Sequence, residues 1–131
     1  MSHPPPAPFK GRTGLDRIVH AAINSWSGLR QAYRGESAFR QETWLAVLLV
    51  PAAFWLGRDP VEIALLAGSV VMVMVVELLN SAVEAVVDRV SFEWHELSKR
   101  AKDIGSAAVL LALLCCGGLW SAVIAQRWIA P

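Results

Sequence analysis

The sequence predicts an all-α membrane protein: an amphipathic amino-terminal surface helix followed by three transmembrane helices. Of its 131 residues, 55% are hydrophobic, and the mean hydropathy is +0.44, more apolar than soluble chains usually are. Three stretches approach the length needed to cross a roughly 30 Å hydrocarbon core at about 1.5 Å per residue. The basic residues are distributed asymmetrically around those stretches, which gives them an orientation.

Taken in order, residues 1–14 contain prolines and basic residues but no apolar core of the kind a signal peptide has. They are expected to be a disordered tail. Residues 15–131 form one membrane domain. Between Leu15 and Arg34, the apolar residues Leu15, Ile18, Val19, Ala22, Ile23, Trp26, Leu29 and Tyr33 recur at steps of three and four. That period gives a surface helix over 15–34, with Trp26 at headgroup level and Thr13 as its cap. Spans follow over about 37–57, 60–89 and 103–127. The first, TWLAVLLVPAAFWLG, extends backward through ESAFRQE as helix. Gly57-Arg58-Asp59-Pro60 breaks it from the second and sets a tight hairpin. Between the second and third lies VSFEWHELSKRAKD, which could continue as helix and turn near Leu97–Ser98. The third holds IGSAAVLLALLCCGGLWSAVIA, without a charge. Cys115 and Cys116 are read as apolar filler.

Ten of the twelve Lys and Arg residues lie before the first span or between the second and third; only Arg58 and Arg127 lie elsewhere. The positive-inside rule therefore places the amino terminus and the loop Arg89–Lys102 in the cytoplasm and the carboxyl terminus outside.

The second span ends in ELLNSAVEAVVDR. On a helical wheel with Glu77 at zero, Asn80, Ser81, Glu84 and Asp88 fall within a wedge of about 100°. Valines and leucines fill the other sides. Glu77 lies about 26 Å along the helix from Pro60, near the far boundary of the hydrocarbon core, with Glu84 and Asp88 about 10 and 16 Å beyond. A helix simply emerging into water explains Asp88 but not Glu77 or Asn80, because ionisable groups at that depth need a polar cleft or a partner. Glu36 and Glu42 sit at the same interface. Carboxylates of this kind suit Mg²⁺, which is held by one or two of them together with substrate phosphates. The loop adds Glu93, His95, Glu96, Lys99, Arg100, Lys102 and Asp103, though charged loops are commonly just solvated. No phosphate-binding loop, dinucleotide fingerprint or kinase catalytic-loop signature is present.

ESAFRQE, ELLNSAVEAVVDR, WHELS and RAKDIGSAA, in this order and spacing, resemble the small integral-membrane diacylglycerol kinase family of bacteria. The resemblance covers Leu15 to the end of the third span. It implies a three-span homotrimer of the bacterial inner membrane, with sites shared between subunits. The implied reaction is phosphorylation of diacylglycerol by ATP with Mg²⁺, and no nucleic-acid partner is expected. By position, the resemblance makes Glu77 the catalytic base and Glu36 and Glu84 the metal-binding glutamates. It puts Arg17, Asn24, Glu93, His95, Lys102 and Asp103 beside the nucleotide, along with Glu36 and Glu84. Arg17, Trp26, Arg30, Arg40, Glu42, Glu77 and Ser106 fall near the lipid, with Asn80 and Asp88 in support. Family members carry Tyr at the position of Asn24 and Lys at that of Ser27.

Phosphoryl transfer asks for positioning, charge neutralisation and a base for the incoming hydroxyl. A carboxylate stripe climbing from the lipid boundary can supply all three. The alternative in the same superfamily is a polyprenol kinase. A more remote one is an ion- or proton-conducting bundle, which would spread its carboxylates across the full membrane depth.

Overall fold

The computed structural model describes residues 13–129, so most of the expected tail lies outside the described residues. Four helices account for nearly all of the described chain: α1 (Gly14–Gly35), α2 (Ser37–Leu56), α3 (Pro60–Val90) and α4 (Glu96–Ile129). The chain is all-helical, as expected. α3 is the central element, packing against α2 on one side and α4 on the other, while α1 docks on α2. α3 and α4 are each long and apolar enough to cross a membrane. α2 is shorter, and it carries Arg40 and Glu42 near its start and Pro51 inside it.

Large apolar side chains point outward. Leu48, Leu111, Leu114 and Val86 are all more than half exposed, and α4 has no buried residue at all. A water-soluble chain would bury such a set, so this surface is suited to lipid or to other membrane helices. The small core that exists joins Ala53 and Leu56 of α2 to Leu66 of α3, with Trp120 and Val123 of α4 against them. Trp120 Nε1 donates to the carbonyl of Leu66 at 3.2 Å, so the indole is both packed and satisfied.

The hairpin between α2 and α3 forms where the sequence puts it. Asp59 caps α3, its Oδ1 accepting from the backbone N–H groups of Val61 and Glu62 at 2.8 and 2.9 Å, and Pro60 occupies the first turn. Gly57 allows the close return, since a Cβ there would run into the Ile63 side chain and the Ala53 carbonyl. Two arginines then tie this hairpin to the end of α4. Arg127 Nη1 donates to the Leu56 carbonyl at 2.8 Å with its guanidinium 5.5 Å from the Trp55 ring centre, and Arg58 Nη2 donates to the Gln126 carbonyl at 3.3 Å.

Two local expectations fail. Thr13 precedes α1 but makes no side-chain capping bond. The connection after α3 does not turn at Leu97–Ser98, because residues 91–95 leave the helix and α4 already begins at Glu96. The reason lies in side chains that compete with the helical backbone. Ser91 Oγ accepts from the N–H of Glu93 at 3.0 Å, and His95 Nδ1 accepts from the N–H of Leu97 at 3.1 Å. His95 thus serves as the cap of α4, with its carbonyl accepting from the Lys99 N–H.

The elbow between α1 and α2 is a single residue, Glu36, in extended conformation. Arg40, one turn into α2, reaches back so that Nη1 donates to the carbonyls of Tyr33 and Arg34 at 3.1 and 2.9 Å. A cation on the last carbonyls of α1 also complements the negative end of that helix.

Candidate active site

The stripe on α3 has a buried foot. Glu77 is only 6% exposed and is the one buried charged residue among the described residues. Three segments bring carboxylates to it: the elbow supplies Glu36, α2 supplies Glu42, and α3 supplies Glu84 one and a half to two turns further on. Glu36 and Glu84 lie close enough to act electrostatically on Glu77, and Glu77 on Glu42. Among the described residues the ion pairs are His20–Asp16, Lys99–Asp103 and Lys102–Asp88. None of the four clustered glutamates has a cationic partner in this set.

Two buried oxygens there also lack a hydrogen bond, Glu42 Oε2 and Asn80 Oδ1. The other end of the Asn80 carboxamide is used, with Nδ2 donating to Glu84 Oε1 at 3.4 Å. The Glu36 side chain makes no capping bond to α2, which leaves its carboxylate available. Negative charge gathered without a protein cation fits a hard divalent ion. No group of three or more His, Cys, Asp or Glu side chains among the described residues could hold a metal ion by itself. The donor set therefore fits an ion that arrives with phosphate oxygens of its own rather than a fully caged one.

Beyond the stripe, a cavity of about 350 Å³ opens between the end of α3 and the start of α4. Asp88, Glu93, His95, Lys99, Lys102 and Asp103 line it together with Phe92 and Trp94. Lys102 Nζ bridges the helices by donating to Asp88 Oδ1 at 2.7 Å, and Lys99 pairs with Asp103 at 2.5 Å along α4. Cations, an exposed acid pair and two aromatic faces in one cleft suit an anionic ligand with a ring. A second cavity, about 710 Å³, separates α1 from α3 and is lined by Leu29, Ala32, Glu36, Leu78 and Ser81 among others. Glu36 thus borders both this space and the carboxylate group.

Apart from Arg40, the site residues expected from the sequence fall into three groups. Glu36, Glu42, Glu77, Asn80 and Glu84 come together around the foot of the stripe, and Asp88, Glu93, His95, Lys102 and Asp103 surround the smaller cavity. Arg17, Asn24, Trp26 and Arg30 stand exposed on α1 and line neither cavity, and Ser106 is exposed on α4. Arg40 is occupied in holding the elbow. Phe92, Trp94 and Ser98 are cavity-lining residues that the sequence did not single out; the density of charge around them was the only available signal.

An all-helical membrane protein that gathers unpaired carboxylates at the end of its apolar helices, beside a charged cleft, is built as an enzyme acting at a membrane interface. Comparison with known proteins narrows this. Residues 23–124 match the family described as prokaryotic diacylglycerol kinase. The chain is 54% identical over 114 residues to the diacylglycerol kinase of Escherichia coli (strain K12), covering 83% of this chain and 93% of that one. It is 50% identical over 119 residues to the Pseudomonas aeruginosa diacylglycerol kinase, covering 91% and 97%. Against the Haemophilus influenzae diacylglycerol kinase, identity is 49% over 112 residues, covering 86% and 95%. The chain belongs to the prokaryotic diacylglycerol kinase family and is a lipid kinase.

Proposed function

We propose that this kinase phosphorylates diacylglycerol to phosphatidic acid with MgATP, at the cytoplasmic face of the bacterial inner membrane. In this reading α2, α3 and α4 are its three spans, the amino terminus is cytoplasmic, and three copies associate so that sites are shared between subunits. The observation that carries the reading is the burial of Glu77 where the apolar part of α3 ends. There a carboxylate can meet the hydroxyl of a lipid that never leaves the bilayer.

The lipid hydroxyl oxygen attacks the γ-phosphorus of ATP, the bond from that phosphorus to the β–γ bridging oxygen breaks, and ADP leaves. Glu77 takes the hydroxyl proton. Removing such a base commonly costs a factor of about 10²–10⁴. Glu36 and Glu84 would hold the Mg²⁺, which would offset the negative charge of the nucleotide's phosphates. Lys102 can turn from Asp88 toward the phosphates and neutralise charge on the group in flight. Glu93, His95 and Asp103 frame the nucleotide around it. Trp26, Arg30, Glu42 and Ser106 serve the lipid side, with α1 lying on the membrane surface.

The test is ATP-dependent phosphorylation by the purified protein in mixed micelles, offering diacylglycerol and a polyprenol separately, with Glu77→Gln alongside. Phosphatidic acid from the wild type, reduced at least a hundredfold in the variant, is the expected result. Polyprenyl phosphate as the sole product would keep the chemistry and replace the acceptor. No phosphorylation of either lipid by a folded oligomer with Mg²⁺ would end the kinase reading.

A further inference from the structure

The motif RAKDIGSAA places a glycine, Gly105, inside an uninterrupted helix of 34 residues. Glycine in a helix interior is disfavoured relative to alanine, so its presence calls for a local reason. The reason is visible on α3. A Cβ at position 105 would fall on the Asn80 carboxamide, with Oδ1, Cγ and Cβ of Asn80 as its nearest neighbours. The atom it would strike hardest, Oδ1, is buried and has no hydrogen-bond partner, so it faces the glycine backbone, where only a Cα hydrogen can meet it. The other end of the same rigid amide donates to Glu84. The Asn80 carboxamide therefore lies between a glycine on α4 and a carboxylate on α3, one end against each.

We propose that Gly105 is a positioning residue for the kinase reaction, acting through Asn80 to set the direction of the Glu84 carboxylate. A methyl group at position 105 displaces the carboxamide, breaks its bond to Glu84 and lets that carboxylate swing. Glycine here serves the metal–nucleotide end of the site and not general helix packing. The inference rests on the assignment of Glu84 to the metal.

The experiment is a double-mutant cycle on the full-length protein with wild type, Gly105→Ala, Asn80→Ala and Gly105→Ala/Asn80→Ala, with Glu84→Gln as reference. Two readouts are taken. Steady-state kinetics give kcat and the separate dependences on Mg²⁺, ATP and diacylglycerol. Mn²⁺ binding in the presence of a non-hydrolysable ATP analogue, followed by electron paramagnetic resonance, does not depend on turnover. Gly105→Ala is expected to weaken Mn²⁺ binding and raise the Mg²⁺ requirement about tenfold, with the KM for diacylglycerol within twofold of wild type. In the double variant the alanine should add nothing to the effect of Asn80→Ala, because the group it displaces is gone. The same non-additivity is expected in thermal stability; a Gly105→Ala chain that folds only when rescued by Asn80→Ala supports the proposal if the rescued chain binds Mn²⁺ as weakly as Asn80→Ala, and overturns it if that chain binds Mn²⁺ like wild type. Equal losses from the alanine in both backgrounds, or wild-type metal binding in Gly105→Ala, would overturn it. Normal metal binding in Glu84→Gln would instead remove the metal assignment, a separate outcome that leaves the Gly105–Asn80 coupling readable from stability.

Discussion

Arg40 carries two competing descriptions, and one substitution separates them. By resemblance it lies on the lipid side of the site; in the structure its Nη1 holds the carbonyls of Tyr33 and Arg34 and so clamps α1 to α2. Arg40→Met keeps the apolar stem and removes both bonds. A hydrogen bond from a charged group is worth about 1.5–3 kcal/mol net, and here one nitrogen serves two acceptors at a half-buried site. The pair is then worth about 2 kcal/mol, a factor of roughly 30 in the equilibrium between docked and released α1. Hydrogen exchange in micelles, read peptide by peptide, reports that equilibrium directly. Amides in the last turns of α1 should exchange about 30-fold faster, while those in the middle of α3 and α4 keep their protection. Protection of α1 within about threefold of wild type, alongside lost activity, would refute the clamp and leave Arg40 as a direct lipid contact.

Two further outcomes follow from the same structure. Asp59→Ala removes the side chain that caps α3; it should cost about 1 kcal/mol of stability with kcat unchanged, measured by thermal unfolding in detergent and by initial rates. Lys102→Met should lower kcat/KM for ATP about tenfold, equivalent to roughly 1.4 kcal/mol, with at least part of the loss in kcat and the KM for diacylglycerol unaffected; ATP titrations at saturating lipid check this.

How much of this could be read from the sequence depends on how local the cause is. The α2–α3 hairpin was legible because Asp59 and Pro60 act within one turn of themselves. The period of three and four gave α1 to within a residue at each end. The stripe from Glu77 to Asp88 was visible because a helix repeats, and its position along α3 followed from counting residues after Pro60. What escaped depended on contacts between segments or on choices between similar local bonds. Residues 91–95 look helical in composition, yet Ser91 and His95 each take a backbone N–H, and the helix stops at Val90, seven residues before Leu97. The clamp from Arg40 is invisible until α1 folds back on α2. Gly105 reads as one small residue among several, and only the approach of Asn80 gives it meaning. A Cβ at Gly68 or Gly117, by contrast, would meet nothing within one chain.

The reciprocal arginine ties at the hairpin end have a consequence for helix register. Arg127 and Arg58 stitch α4 to the α2–α3 hairpin at the opposite extremity from the carboxylates, each through the other's main-chain carbonyl neighbourhood. At the other extremity the connection 91–95 joins α3 to α4, and the half-exposed Lys102–Asp88 pair is the ion pair that spans them among the described residues. α4 is therefore pinned at both ends by unlike ties, arginines on main-chain carbonyls at one and a short stretch of chain with an ion pair at the other, which resists its sliding along α3 and keeps Gly105 level with Asn80.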